Sequence, residues 1–481
     1  MSPTHISPYS GAWYPALAAD LARLLDGCFE ESSERTGPHL FRNGLAFVVP
    51  HAGPAYSGAV AAAVYRSLSL DPPERIILLA FPHHGGLSGV AVPDVAAIST
   101  PFGDVPIDEA PFPRLPEARL CDHSFELQLP FLQKAAPRAR ITPLYIGRMD
   151  AAGRAAAAGQ LAGLWRPGTV FLASSDFTHY GRNFGHVPFP ADSEIADRLR
   201  ALDQEYIEAA GSLDSTLFLE TLAQHDATVC GAAPIALLLD TLRRLPGEAV
   251  YQFTLDYQTS GDRTGDFHHS VSYAALGYFP RSAYDLDAAD REALLDVACD
   301  TLAHLRSTGE RRRAGAHGGS SALDAQRGAF VSLHQGDELL GCIGNCAGRL
   351  PLAEEIADLT LSAALEDPRF RPAASAQGPI EIELSILTPF RRIRSTTEFQ
   401  TGRHGAILRL GRNSGLLLPQ VAAGHGWTSD EFFRALARKS LLGPHAIRDP
   451  KARLEIFEAQ IFSRTQDVRS RYEPARGDAQ L

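Results

Sequence analysis

Val170-Phe-Leu-Ala-Ser-Ser-Asp176-Phe-Thr-His179 decides how the first half of the chain is read. An uninterrupted apolar run of this length, bounded by turn residues, is the signature of a strand buried on both faces, and this one ends on an acid and a histidine three residues apart. Two earlier runs end in the same way. Leu45-Ala-Phe-Val-Val-Pro leads to His51, and Arg75-Ile-Ile-Leu-Leu-Ala-Phe-Pro leads to His83 and His84. Strands that finish at one edge of an open α/β sheet deliver their terminal side chains to one crevice, where ligands bind.

Between the runs lie helical stretches. Gly-containing loops precede Ala59 to about Leu68, Asp150 to Leu164 is rich in alanine, and Thr228-Val-Cys230-Gly-Ala-Ala-Pro opens a helix through Leu242. Asp122-His-Ser-Phe-Glu126 opens another, with Asp122 or Ser124 near its N-cap. Val90 to Thr100 with Gly103 to Ile107 reads as a β-ribbon. The alternation predicts an α/β domain with a central sheet flanked by helices. A change of composition at 280–285 predicts a boundary, giving domains at 1–282 and 283–472 and a disordered tail at 473–481. In the second, strand signals at Gly328–Leu333, Leu339–Ile343, Ile380–Leu387 and Gly405–Leu410 stand among separate helices at Pro351–Leu365 and Asp430–Leu442, which predicts an α+β fold.

With 481 residues, 45% of them hydrophobic and 21% charged, the composition is that of a folded multidomain protein. The 283 residues before Tyr284 hold 20 basic and 30 acidic side chains, a net −10, and the remainder 25 and 26, a net −1. An acidic first half argues against nucleic acid as a partner. No apolar run suits a membrane span and no signal segment is evident, so a cytoplasmic protein is expected. The six cysteines include no CxxC pair and are expected to be reduced.

His51, His83, His84, His123, Asp176, His179 and Cys230 are therefore the candidate donors of one cleft. Imidazole, carboxylate and thiolate suit iron, copper or zinc. Taken singly, each reads more readily as a solvated or hydrogen-bonded side chain or, for Cys230, a small buried hydrophobe; three apolar strands ending on such residues together are what point to a shared cleft. Cys230 stands before a helix N-terminus, where a thiolate is favoured. Glu126 reads either as a carboxylate orienting one of these histidines or as an exposed helical side chain. Asp262-Arg-Thr-Gly-Asp266-Phe-His-His269 reads as a polar loop in preference to a lining of the same cleft.

Ser10-Gly-Ala-Trp-Tyr-Pro15, Val49-Pro-His-Ala-Gly53 with Tyr56 and Gly58, His83-His84, Asp122-His-Ser-Phe-Glu126 with Leu129-Pro130, Ser174-Ser-Asp-Phe-Thr-His179 and Cys230-Gly231 follow the order of the Memo family, which residues 10 to 280 resemble. The resemblance implies a fold similar to the class III extradiol dioxygenases. It also implies that His51, His83 and Cys230 are the metal ligands, with Asp176 and His179 beside them in the pocket; iron or copper is the expected metal, Asp176 and His179 are the expected proton-handling groups, and His84, His123 and Glu126 are expected to line the pocket. Ala80-Phe-Pro82 departs from the small polar turn usual before the paired histidines. Residues 286 to 465 resemble the AMMECR family through Leu340-Gly-Cys-Ile-Gly344, Asp367-Pro-Arg-Phe370, Ile382-Glu-Leu-Ser-Ile-Leu387, Gly415-Leu-Leu-Leu-Pro-Gln-Val-Ala422 and Trp427. Leu340 replaces the signature arginine and Ala437 stands where the family has a later cysteine. Proteins of the two families are grouped with a radical SAM protein in the AmmeMemoRadiSam system, so the resemblance implies that enzyme as a partner and leaves enzyme and accessory roles both open.

Overall fold

The computed structural model describes residues 3–37, 41–315 and 320–467. The chain forms two compact units, Met1–Ala283 and Tyr284–Leu481. The tail expected from Glu473 lies outside the described residues.

The first unit is built on a nine-stranded mixed sheet. Four strands form its parallel centre, in the order Ala46–Val49, Thr169–Ser174, Arg75–Ala80, Arg140–Ile146. The first three are buried at every position, as their uninterrupted apolar character requires. Alternate residues face one core: Ala46 and Val48, Ile77 and Leu79, Phe171 and Ala173 pack with Ala158 and Leu161 of helix Ala151–Leu164 and with Ile235, Leu238 and Leu239 of helix Ala232–Leu242. Outside the parallel centre, Ser270–Pro280 pairs antiparallel with Ala46–Val49 and with Val250–Thr259.

Two expectations are corrected here. Val90–Pro93 leaves the expected ribbon to pair with Arg140–Ile146, and only Ala97–Thr100 and Gly103–Pro106 form the hairpin. That hairpin is extended by a parallel strand at Thr4–Ile6, three residues too short to carry a period. The polar stretch after Thr259 is partly helical, because Asp262 closes a capping box with Thr259 over Ser260–Thr264.

The second unit holds two four-stranded antiparallel sheets. Ala329–Gln335, Glu338–Asn345, Ile380–Leu387 and Ala459–Gln466 form one, with helices Ala288–Thr308 and Leu352–Leu365 contributing to its core. Arg391–Ile393, Gly405–Leu410, Asn413–Leu417 and Arg453–Phe457 form the other, packed with helix Ser429–Lys439. No described helix is long and apolar enough to cross a membrane.

Candidate metal centre

His51, His83 and Asp176 each follow the C-terminal end of one of three adjacent parallel strands, so the sheet carries them to one edge. There the structure brings His123 into the group. One ring nitrogen each of His51, His83 and His123 lie within 4.8 Å of one another. Cys230 reaches the same place from the loop before helix Ala232–Leu242, its Sγ 3.1 Å from His51 Nε2. His84, the second of the pair, is exposed and takes no part in that group.

Two of the three imidazoles, His51 and His83, are held at Nδ1. His51 Nδ1 pairs with Ser174 Oγ at 2.9 Å, and the His51 backbone N–H donates to Asp176 Oδ1 at 2.8 Å. Asp122 Oδ2 accepts from both the backbone N–H and Nδ1 of His83, at 2.7 and 3.0 Å. Asp122 is at once the N-cap of the turn His123–Glu126, accepting from the Ser124 N–H. Such outer hydrogen bonds fix the tautomer and present the other nitrogen inward. Rings stack around His123: Trp13 lies 4.9 Å and His83 4.1 Å away between centroids. The loop Ser10–Pro15 is therefore part of the site's wall. Phe81, in the departure before the paired histidines, packs edge-on to His83 at 5.1 Å.

Electrostatics keep His51 and His123 neutral. Burial, aided by the neighbouring His83, lowers His51 to about 3, and burial with His51 lowers His123 to about 4. Both imidazoles are thus free bases with lone pairs available at neutral pH. Burial opposes the charge of Asp122, yet the hydrogen bonds from His83 and Ser124 outweigh it and hold the carboxyl below its usual range. Burial pushes the fully enclosed Asp176 carboxyl up, against the pull of His179. For Cys230 the helix N-terminus was expected to favour thiolate. Burial and the Asp176 charge instead push the thiol well up, despite the Asp176 N–H donating to Sγ at 3.2 Å. A thiolate there needs a cation to offset them.

His179 faces two carbonyl oxygens, of Phe177 and Thr228, at 3.0 and 2.9 Å from Nδ1. Nδ1 must carry the proton, which leaves Nε2 a base. The turn before it is anchored by Asp203, absent from the sequence reading, which accepts from the Thr178 N–H and hydroxyl and from the Tyr257 hydroxyl. Gly231 completes the frame: a Cβ there would collide with Ser175, and its N–H donates to Ser175 Oγ at 2.9 Å. Glu126 is neither exposed nor bound to a histidine of the centre. It is buried, and its Oε1 pairs with His5 Nε2 at 3.1 Å because the short N-terminal strand brings His5 over it.

The model of the Memo-like protein family matches residues 7–277, more than half of the chain. The chain belongs to the Memo family. The AMMECR1 family model matches residues 295–462, so the two domains lie on one polypeptide. A MEMO1 family protein of Methanosarcina barkeri is 33% identical over 279 residues, covering 56% of this chain and 97% of the relative. The Protein memo-1 homolog of Caenorhabditis elegans is 28% identical over 290 residues, covering 56% of this chain and 81% of the relative. A crystal structure of an uncharacterized protein from Pyrococcus horikoshii covers 38% of this chain and 98% of its own, at 26% identity and a TM-score of 0.34. The Memo and AMMECR1 domains correspond to the α/β and α+β units described above.

Proposed function

We propose that the Memo domain is a metal-dependent redox protein in which His51, His83 and Cys230, joined by His123, hold iron or copper. The observation that carries this reading is the convergence of three imidazoles whose nitrogens lie within 4.8 Å, two of them held neutral, with a thiol 3.1 Å from His51 Nε2. Imidazole suits both metals, and the soft sulfur tilts the set toward copper. A bound redox metal would supply Lewis acidity and electron transfer. The chain's own residues do the rest. Asp122 and Ser174 orient His83 and His51, and His179 accepts a proton at Nε2. Asp176, raised by burial, sits next to the thiol whose proton must leave on loading. A reducing compartment such as the cytoplasm keeps that thiol available.

A second reading, a binding or accessory domain, is favoured by the exposed apolar side chains at this end of the unit. Trp13 touches His123 and Phe184 touches His179, while each leaves over two-fifths of its surface in solvent. Such a rim suits an apolar substrate or a peptide. Under either reading we take a radical SAM enzyme as the candidate partner.

Metal content separates the readings. Protein purified without a metal-affinity tag is expected to carry iron or copper, lost in His51→Ala and Cys230→Ala. Absence of both metals under oxidising and reducing conditions alike sinks the redox reading. Mutants that keep their fold but lose affinity for the radical SAM partner would support the accessory one.

A further inference from the structure

The segment Cys121–Glu126 has two sides. Asp122 and His123 serve the centre described above, while Cys121 and Glu126 turn to His5. One donor atom each of His5, Cys121 and Glu126 lie within 4.8 Å of one another. The three come from separate elements: strand Thr4–Ile6, the residue closing helix Glu117–Leu120, and the end of the turn His123–Glu126. Cys121 and Glu126 are buried, and the Glu126 side chain is wholly enclosed. Its Oε1 meets His5 Nε2 at 3.1 Å, but its Oε2 is buried without a hydrogen-bond partner. Leaving a buried carboxylate oxygen unsatisfied is costly, and a bound cation is one of the few things that removes the cost.

We propose that His5, Cys121 and Glu126 form a second metal site, distinct from the His51–His83–His123 group and selective for a borderline divalent cation such as Zn2+. Nitrogen, thiolate and carboxylate together are a zinc donor set. Around a tetrahedral ion with metal–N and metal–O bonds of about 2.0–2.1 Å, two donors stand roughly 3.3 Å apart, close to the His5–Glu126 separation. Glu117, whose Oε2 lies 3.1 Å from His5 Nδ1, orients the imidazole as outer carboxylates do. The role of the ion is structural. It ties the short N-terminal strand to the segment that delivers Asp122 and His123, so loading it stiffens one wall of the neighbouring centre. Without an ion, His5 is simply clamped by hydrogen bonds between Glu117 and Glu126, with Cys121 beside them.

Cobalt(II) distinguishes these two states and separates them from the redox centre. In the full chain carrying Cys230→Ser, one equivalent of Co2+ is expected to bind with a thiolate-to-metal charge-transfer band, and Zn2+ is expected to displace it. Adding Cys121→Ser should abolish the band, and Glu126→Gln, nearly isosteric and safer for folding, should weaken Zn2+ binding at least tenfold. A Cys230→Ser protein without the band, a band that survives Cys121→Ser, or a Glu126→Gln variant with unchanged affinity would each overturn the proposal. Because the charge-transfer band reports only a thiolate ligand and Cys230 is removed in every arm, the band and its displacement by Zn2+ do not depend on the iron or copper reading.

Discussion

The Memo domain ends three adjacent parallel strands on His51, His83 and Asp176, whereas the AMMECR1 domain carries Leu340–Gly344 inside an antiparallel strand. The first arrangement sends side chains off the sheet edge toward a common point. In the second, neighbours along the strand face opposite sides, and each finds its own partner. Gly341 lies against the carbonyl of Ala363 in helix Leu352–Leu365, Gly344 lies on the Phe330 ring, and Cys342 accepts from the Ser332 hydroxyl at 3.3 Å. The stretch in which Leu340 replaces an arginine is here a packing motif. A guanidinium nevertheless reaches it from elsewhere: Arg369 donates to the Cys342 carbonyl at 2.9 Å and pairs with Asp367. Residue identity thus says less about chemistry than where the strand stops.

The sharpest way to break this comparison is to add one methyl group to each domain. A Cβ on Gly341 meets backbone, which cannot yield, so Gly341→Ala should cost about 3 kcal/mol in the AMMECR1 domain. Gly231→Ala should cost the Memo domain a similar amount, about 3 kcal/mol, through Ser175. The two differ in what else is lost. Gly231→Ala displaces Cys230 from His51 and should remove bound metal, whereas Gly341→Ala should leave metal content per folded molecule unchanged. Denaturant unfolding with metal analysis of the same samples checks both, and metal loss in Gly341→Ala would contradict the packing assignment.

Next in size is Asp122→Asn. The amide cannot accept from both His83 groups with a full charge, so metal affinity should fall roughly 10- to 100-fold with little change in fold. A competition titration with a chelator measures it. Unchanged affinity would mean that His83 is not oriented by this bond.

Much of this was legible in the sequence, for identifiable reasons. The parallel strands announced themselves because both faces are buried, and the histidines at their ends followed. Ile380–Leu387 and Gly405–Leu410 were found at their observed bounds because the core-facing residues recur along them. What escaped notice was held by long-range pairing. Strands Arg453–Phe457 and Ala459–Gln466 mix charge with apolar residues and are recognisable only beside their partners. His123 joins the centre, and Glu126 pairs with His5 instead, because the strand Thr4–Ile6, too short to show a period in the sequence, carries His5 to it. Asp203 sits some 25 residues past the motif it anchors, on helix Ile195–Gly211, with no local signal of its own.

The smallest expected effect sharpens the comparison from the AMMECR1 side. Asp367 is nearly enclosed, and its Oδ2 accepts from the Cys342 N–H at 2.8 Å while Arg369 pairs with it from a half-exposed position. Burial raises its pKa, but the bonds from Arg369 and Cys342 outweigh that and hold it below the usual carboxylate value. A carboxylate whose folded pKa is depressed contributes stability that is complete above its unfolded pKa and is lost as the pH falls through the folded one. The contribution is about 1 kcal/mol, because solvent screens the Arg369 partner. Hydrogen exchange at the Cys342 amide should therefore show protection that weakens on acidification. In Asp367→Asn it should be weaker at neutral pH and level with acid. An unaltered pH profile in that variant would show that Cys342 is held by the sheet alone, making the strand still more purely a packing element than the contrast with the Memo domain requires.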